Sequence, residues 1–335
     1  FISGLLFTAL TIVFFNGFRE EKSATVRAVL GQESEPNALP NEWMAKQRSW
    51  PHDNILPASY REAMQHAASF HKKSALRSYD WQLLGPTNIG GRITDIAVDP
   101  LNKDVWYIGG ATGGIFKTSN AGANWENIFL DEAVISIGDL AIDPSDSQVI
   151  YAGTGEANAS SYSFYGNGVY KSIDGGLNWE HSGLENSVYI GRLIVDYDNP
   201  QRVWAAAAGS LFTPDEYRGV YRSLDGGNNW EKVLFLTDST SAIDLVQHPE
   251  NPDIIYASMW ERMRGRNYRN SFGESSGIYK SIDGGDSWEE ITNGLPAGND
   301  VGRIGIAIAE SNPNILYAFY DMPSSEVRVY RSDDG

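Results

Sequence analysis

The 335-residue chain is 41% apolar and 12% aromatic, enough to bury a large core and to exclude a disordered polymer. Its 26 basic against 43 acidic side chains leave a net charge of -17, which repels phosphate backbones, so nucleic acid is not an expected partner. With no cysteine there is no disulfide framework, thiolate metal site or cysteine nucleophile, and the 34 glycines and 17 tyrosines lean toward an all-β fold with many turns.

Residues 1–18 are apolar apart from Ser3, Thr8, Thr11 and Asn16, and charge begins at Arg19. This pattern reads as the apolar region of a signal peptide, or as an N-terminal anchor at the lower length limit for spanning a bilayer. Export is the expectation, to the periplasm, cell surface or medium, with no membrane contact beyond that segment. Residues 19–80 form a polar linker or pro-region. One helix is predicted there over 59–76, because Ser59 and Glu62 have capping-box spacing and Tyr60 and Met64 follow at a helical interval. His66 and His71 are five apart and do not share a helix face, so no metal is expected, nor any other cofactor.

From residue 81 the sequence repeats itself. Lys171-Ser172-Ile173-Asp174-Gly175-Gly176-Leu177-Asn178-Trp179 recurs around Ser223, Asp225, Gly227 and Trp230, and again around Ser281, Asp283, Gly285 and Trp288. A weaker copy runs from Lys117 to Trp125, and a fifth, Arg331-Ser332-Asp333-Asp334-Gly335, ends with the chain. The tryptophans Trp125, Trp179, Trp230 and Trp288 lie 54, 51 and 58 residues apart, a period of propeller blades or solenoid coils. Each period holds four short β-rich runs, the first at 93–99, 105–111, 115–118 and 125–129, separated by Pro, Asn or Gly. The fold expected is therefore an all-β propeller of four-stranded blades. About five are present, near 88–130, 134–184, 188–236, 241–295 and 301–335. A closed ring often has seven, so the ring is expected to continue.

The pattern S-x-D-x-G-x-x-W is the Asp-box, or bacterial neuraminidase repeat. In it Ser and Asp hydrogen-bond a tight turn, Gly supplies positive φ, and Trp covers the turn. These acids are read as structural. Over 81–335 the chain resembles the sortilin-type and xyloglucanase-like Asp-box propellers of exported bacterial proteins. The resemblance is carried by Gly85-Pro86-Thr87-Asn88-Ile89-Gly90-Gly91-Arg92-Ile93, Gly153-Thr154-Gly155-Glu156-Ala157-Asn158 and Ile190-Gly191-Arg192. It implies a propeller, often one of two tandem rings, in a group that includes glycosidases, peptide-binding receptors and assembly factors. The xyloglucan-degrading members carry a catalytic Asp in a first-blade turn reading Asp-Ile-Gly-Gly. The matching stretch here is Ala111-Thr112-Gly113-Gly114, without an acid.

Two functions stay open on these residues: a module that binds a polysaccharide or extended peptide, and a glycosidase. Binding is favoured by the connections between second and third strands, roughly 156–167, 210–218 and 261–276, which vary in length while the other turns repeat. Glu156, Asn158, Tyr165, Trp260, Arg262 and Tyr268 lie on them and are the expected ligand contacts, with aromatic faces for sugar or peptide. Glu156 and Glu261 are the candidate catalytic carboxyls, since glycoside hydrolysis needs two acids roughly 5 to 9.5 Å apart. On the innermost strands Asp95, Asp139, Arg192 and Asp244 share one register, and bridging between blades is the expected role.

Overall fold

The computed structural model describes residues 46, 47, 49–52, 56–73, 90–158, 163–264, 268–323 and 328–335. The chain divides into two units, Phe1–Trp50 and Pro51–Gly335. Of the first, only residues 46, 47, 49 and 50 are described, so the expected export or anchor segment lies outside the described residues. Among the described residues no helix is long and apolar enough to cross a membrane.

The second unit opens with helix α1 (Pro57–Lys73). Proline is tolerated in a first turn, where its missing N–H would have no partner, and the Tyr60 amide donates to Leu56 O at 3.1 Å. Ser59 therefore sits inside the helix, which corrects the capping-box reading. Arg61 ties α1 to the blades by donating to Glu185 O and Asn186 Oδ1 at 2.9 and 3.0 Å.

Among the described residues six antiparallel sheets follow, five of them blades and one a two-stranded hairpin. Blade one holds β1 (Ile93–Val98), β2 (Trp106–Gly110), β3 (Gly114–Thr118) and β4 (Glu126–Asn127). Blade two holds β5 (Ile137–Ile142), β6 (Ile150–Thr154), β7 (Val169–Ser172) and β8 (Glu180–His181). Blade three holds β9 (Ile190–Val195), β10 (Val203–Ala207), β11 (Gly219–Ser223) and β12 (Glu231–Leu234). In blade four a hairpin, β15 (Met263–Arg264) and β16 (Arg269–Asn270), is inserted into the sheet formed by β13 (Thr240–Gln247), β14 (Ile255–Glu261), β17 (Gly277–Ser281) and β18 (Glu289–Ile291). Blade five has β19 (Ile304–Ile308), β20 (Leu316–Tyr320) and β21 (Arg328–Ser332).

The innermost strands β1, β5, β9, β13 and β19 pack side by side in chain order, so the sheets stand face to face around an axis as blades of a β-propeller. Every residue of the second strands β6 and β10 is buried, because each blade is covered on both sides. The core therefore lies between blades: Tyr107 and Ile115 pack with Ile137 and Ile150, Tyr151 and Val169 with Ile190 and Leu193, Trp204 and Val220 with Ala242 and Leu245. At Gly138 the chains approach so closely that a Cβ would lie 2.0 Å from Ile190 O. In blade five Gly305, which takes the register position of Asp139, has nothing within 4 Å of where its Cβ would lie, and Phe319 and Val329 beside it are more than half exposed.

The connections between first and second strands and the repeated Ser-x-Asp turns occupy one rim, here the lower. Those between second and third strands and between blades occupy the upper. In the lower turns the Ser172 hydroxyl donates to Asp174 Oδ1 at 2.8 Å and accepts from the Gly176 amide at 2.9 Å, while Asp174 Oδ1 accepts from the Asn178 amide at 2.8 Å. Ser223 with Asp225 and Ser281 with Asp283 repeat these bonds. Gly176, Gly227 and Gly285 all have φ near +90°, which L side chains rarely adopt. Each tryptophan covers its own turn, its ring 3.6–3.7 Å from where a Cβ on the turn glycine would lie, and its indole N–H is used as well. Trp179 Nε1 donates to Ile128 O at 3.0 Å and Trp230 Nε1 to Ser182 O at 2.6 Å, each on the preceding blade, whereas Trp288 Nε1 donates to Gly285 O of its own turn. Lys117 and Lys171 reach forward and donate to Gly175 O and Gly226 O of the next blade, both at 2.8 Å. These turns are thus latches between blades as well as hairpin ends.

Candidate functional site

The upper rim is organised by the connection that leaves β6. Gly155, at φ 80°, turns the chain toward the axis and its amide donates to Ser136 O at 2.7 Å. A Cβ there would fall 2.0 Å from Val188 O, so the turn requires glycine. The next three residues then meet four other parts of the fold. Glu156 forms a parallel bridge with Ile190 of blade three, and its Oε2 accepts from Arg92 Nη2 just ahead of β1. Ala157 O accepts from Arg262 Nη1 of blade four at 2.9 Å, and Asn158 Oδ1 accepts from Arg303 Nη1 of blade five at 2.6 Å. Residues 156–158 therefore cross the mouth of the axial channel and join blades one, three, four and five.

Glu156 is 1% exposed, whereas the Arg92 side chain is 51% exposed, so the carboxyl sits beneath the surface with its cation above. Its second oxygen, Oε1, is buried and has no hydrogen-bond partner, and neither has the nearby Ser136 hydroxyl. Glu261 is placed differently. Its Oε2 accepts from the Ser275 hydroxyl at 2.8 Å and the Ser275 amide at 3.3 Å, which fastens the loop ahead of β17.

Below the mouth the bridging register is realised. Arg192 donates to Asp139 Oδ1 at 3.1 Å and Asp244 Oδ1 at 2.9 Å, while the free oxygens of Asp95, Asp139 and Asp244 accept from the Leu140, Leu193 and Ile306 amides of the following blade. Irregular pairing one residue earlier, at Thr94, Gly138 and Ile243, turns each acid toward the next strand. Burial pushes the Asp139 carboxyl well above the usual range, with Arg192 opposing, and the same acid is the main cause that raises Arg192.

The residues expected to touch ligand fall into two groups. Tyr268 is 59% exposed and Asn158 is half-buried. Trp260, Tyr165 and Arg262 are buried, which corrects the picture of their faces standing open on the rim. The Trp260 indole donates to Ser271 O at 2.8 Å and packs under the guanidinium of Arg262, whose Cζ is 4.6 Å from the ring centroid. Tyr165 is enclosed by Tyr60 of α1, Tyr189 and Phe212, with centroids 5.3, 5.6 and 6.3 Å away. Burial raises its hydroxyl to about 12. The sequence reading missed the arginines Arg92 and Arg303, since their placement depends on contacts between blades.

No protein-family model matches the chain. Its sequence is 29% identical over 175 residues to the xyloglucanase Xgh74A of Acetivibrio thermocellus, covering 42% of this chain and 20% of that protein. It is 24% identical over 253 residues to a probable oligoxyloglucan-reducing end-specific xyloglucanase of Neosartorya fischeri, covering 64% of this chain and 29% of that one. The chain thus spans about a fifth to a third of the length of these curated relatives. Among solved structures it is similar to an ancestral GH74 enzyme, with a TM-score of 0.57 at 22% identity over 76% of this chain and 31% of the other. The GH74 enzyme of Niastella koreensis gives 0.53 at 22% identity over 72% and 37%. The class defined is a β-propeller similar in fold to the GH74 enzymes.

Proposed function

We propose that this chain is the polysaccharide-gripping part of an exported glycoside hydrolase-type propeller, with the glycan lying across the upper rim and Glu156 the carboxyl that this part offers. The observation that carries the reading is Glu156 itself: an acid at the mouth of the channel, with one oxygen on Arg92 and the other without a partner. The sequence similarity to xyloglucanases supports polysaccharide as the ligand class. Hydrolysis of a glycosidic bond needs a second carboxyl roughly 5 to 9.5 Å from the first. Asp139 and Asp244 are spent on Arg192 and on backbone amides, and Glu261 on Ser275. The second acid is therefore assigned to another part of the whole protein, as in the two-ring enzymes that the sequence resembles. We also read the uncovered faces of β1 and blade five as seats for further blades, since Ile96 is 60% and Val329 64% exposed.

Binding without hydrolysis is the second reading, favoured by the first-blade turn at Ala111, which carries no acid. Exposed rings on the rim, Phe164, Tyr217 and Tyr268, supply stacking faces under either reading, while Trp260 and Tyr165 hold the platform beneath. A glycan array that includes xyloglucan, probed with the protein and with Tyr268→Ala, tests the ligand class. Tyr268→Ala is expected to weaken glycan binding about tenfold, as loss of an aromatic anchor does. Binding of peptides alone would refute the reading.

A further inference from the structure

Most arginines of the blades are paired with acids or ringed by acceptors. Arg192 meets Asp139 and Asp244, Arg202 meets Asp196 and Asp253, and Arg222 meets Glu231 and Asp286. Even the fully buried Arg218 donates to oxygens of Ser239, Ser241 and Arg262. The blade-four side of the upper rim breaks this rule. Arg262 is 1% exposed, yet its Nε and Nη2 have no acceptor, and neither Arg262 nor the exposed Arg269 forms an ion pair among the described residues.

The cations are also close together. Arg262 and Arg303 share the Trp260 indole, their Cζ atoms 4.6 and 5.9 Å from its centroid. Arg269 stands at the edge with Nε donating to Ser271 Oγ at 3.0 Å, one residue from the exposed Tyr268. Burial lowers the Arg262 guanidinium from its ordinary value, and the charges of Arg269, Arg264 and Arg303 push it the same way. Burying a cation without a counter-charge is unfavourable, and a chain of net charge -17 has acids to spare for the purpose. Asp244 and Glu156 stand near Arg303, but no carboxylate among the described residues stands against Arg262, whose counter-charge is left to a ligand.

We propose that this part of the rim holds the carboxylate of an acidic sugar, a uronate residue of the polysaccharide, between Arg269 and Arg303 and above Arg262, with Tyr268 beside the sugar ring. The inference rests on the polysaccharide reading and narrows it to glycans that carry carboxylates. A guanidinium fork matches a carboxylate in plane and charge. The overall negative charge selects against a dense polyanion, so the ligand is a largely neutral backbone with occasional uronates.

The test is calorimetry of the full chain with a glucuronate-substituted oligosaccharide, the same oligosaccharide after carboxyl reduction, and a neutral xyloglucan oligosaccharide. The acidic form is expected to bind about tenfold more tightly than its reduced form, with the advantage lost as salt is raised several-fold. Arg269→Ala, at an exposed position that leaves the fold intact, should bring the ratio of acidic to reduced affinity to about one, and Arg269→Lys should restore part of it. Equal affinity for the acidic and reduced forms, with neutral xyloglucan still bound, would overturn the carboxylate site and leave the polysaccharide reading standing. Failure of all three sugars to bind would overturn both.

Discussion

Replacing Arg192 by Met keeps the length of the side chain and removes the cation that joins Asp139 to Asp244. Asp139 would then retain only the Leu193 amide, at 2.7 Å, while its side chain stays 4% exposed. Breaking a buried pair from one side costs about 3–5 kcal/mol, because the remaining charge has lost its partner. Arg192 is 39% exposed to the axial channel, so water screens the pair and the loss expected is smaller, about 2–3 kcal/mol at pH 8. The sign of the pH dependence follows from Asp139. Burial already raises its carboxyl, and removing Arg192, which lowers it, raises it further. A folded-state pKa above the unfolded value means that the native form binds more protons, so stability falls as pH rises through that window. The deficit of Arg192→Met should therefore be about 1 kcal/mol smaller at pH 5 than at pH 8, read by urea unfolding at both. A deficit below about 0.5 kcal/mol at pH 8, or one identical at the two pH values, would refute the bridging role.

Three further outcomes follow from the same contacts. Hydrogen bonds from Asn229 and Ser287 pull Asp225 and Asp283 down to about 2, so their contribution is present above the ordinary carboxylate range and lost as pH falls through about 2. Asp225→Ala should accordingly move the midpoint of acid unfolding to higher pH, seen by circular dichroism, without changing ligand affinity. Gly138→Ala should cost about 3 kcal/mol or prevent folding, because its Cβ would collide with Ile190 O, whereas Gly305→Ala in this chain should cost no more than about 1 kcal/mol. Trp179→Phe should lose about 1 kcal/mol in thermal unfolding through the bond to Ile128 O, an effect confined to the seam between blades one and two.

The sequence carried the architecture because its signals are local. Alternating apolar runs and Gly-marked turns placed the strand boundaries of the first blade within a residue or two. The Ser172, Asp174 and Gly176 turn was legible for the same reason, since its bonds close within a few residues. What crosses from blade to blade was not. Trp179 covers its own turn as the motif implies, but no local pattern marks its bond to Ile128 O or Lys117 as a donor to Gly175. The candidate site suffered most, because its loops are long and their side chains can point either way. Exposure could not be told from burial at Trp260 and Tyr165, and the convergence of Arg92, Arg262 and Arg303 on residues 156–158 required the assembled arc.

The most direct test of the central claim is the release of reducing ends from xyloglucan by the whole protein, compared between the natural sequence and Glu156→Gln. The amide keeps an acceptor for Arg92, so the melting temperature should change little. If Glu156 works at the mouth of the channel, Glu156→Gln should lower turnover by about a hundredfold or more, in the range expected for losing a catalytic carboxyl. Full activity in a folded Glu156→Gln variant would contradict the account.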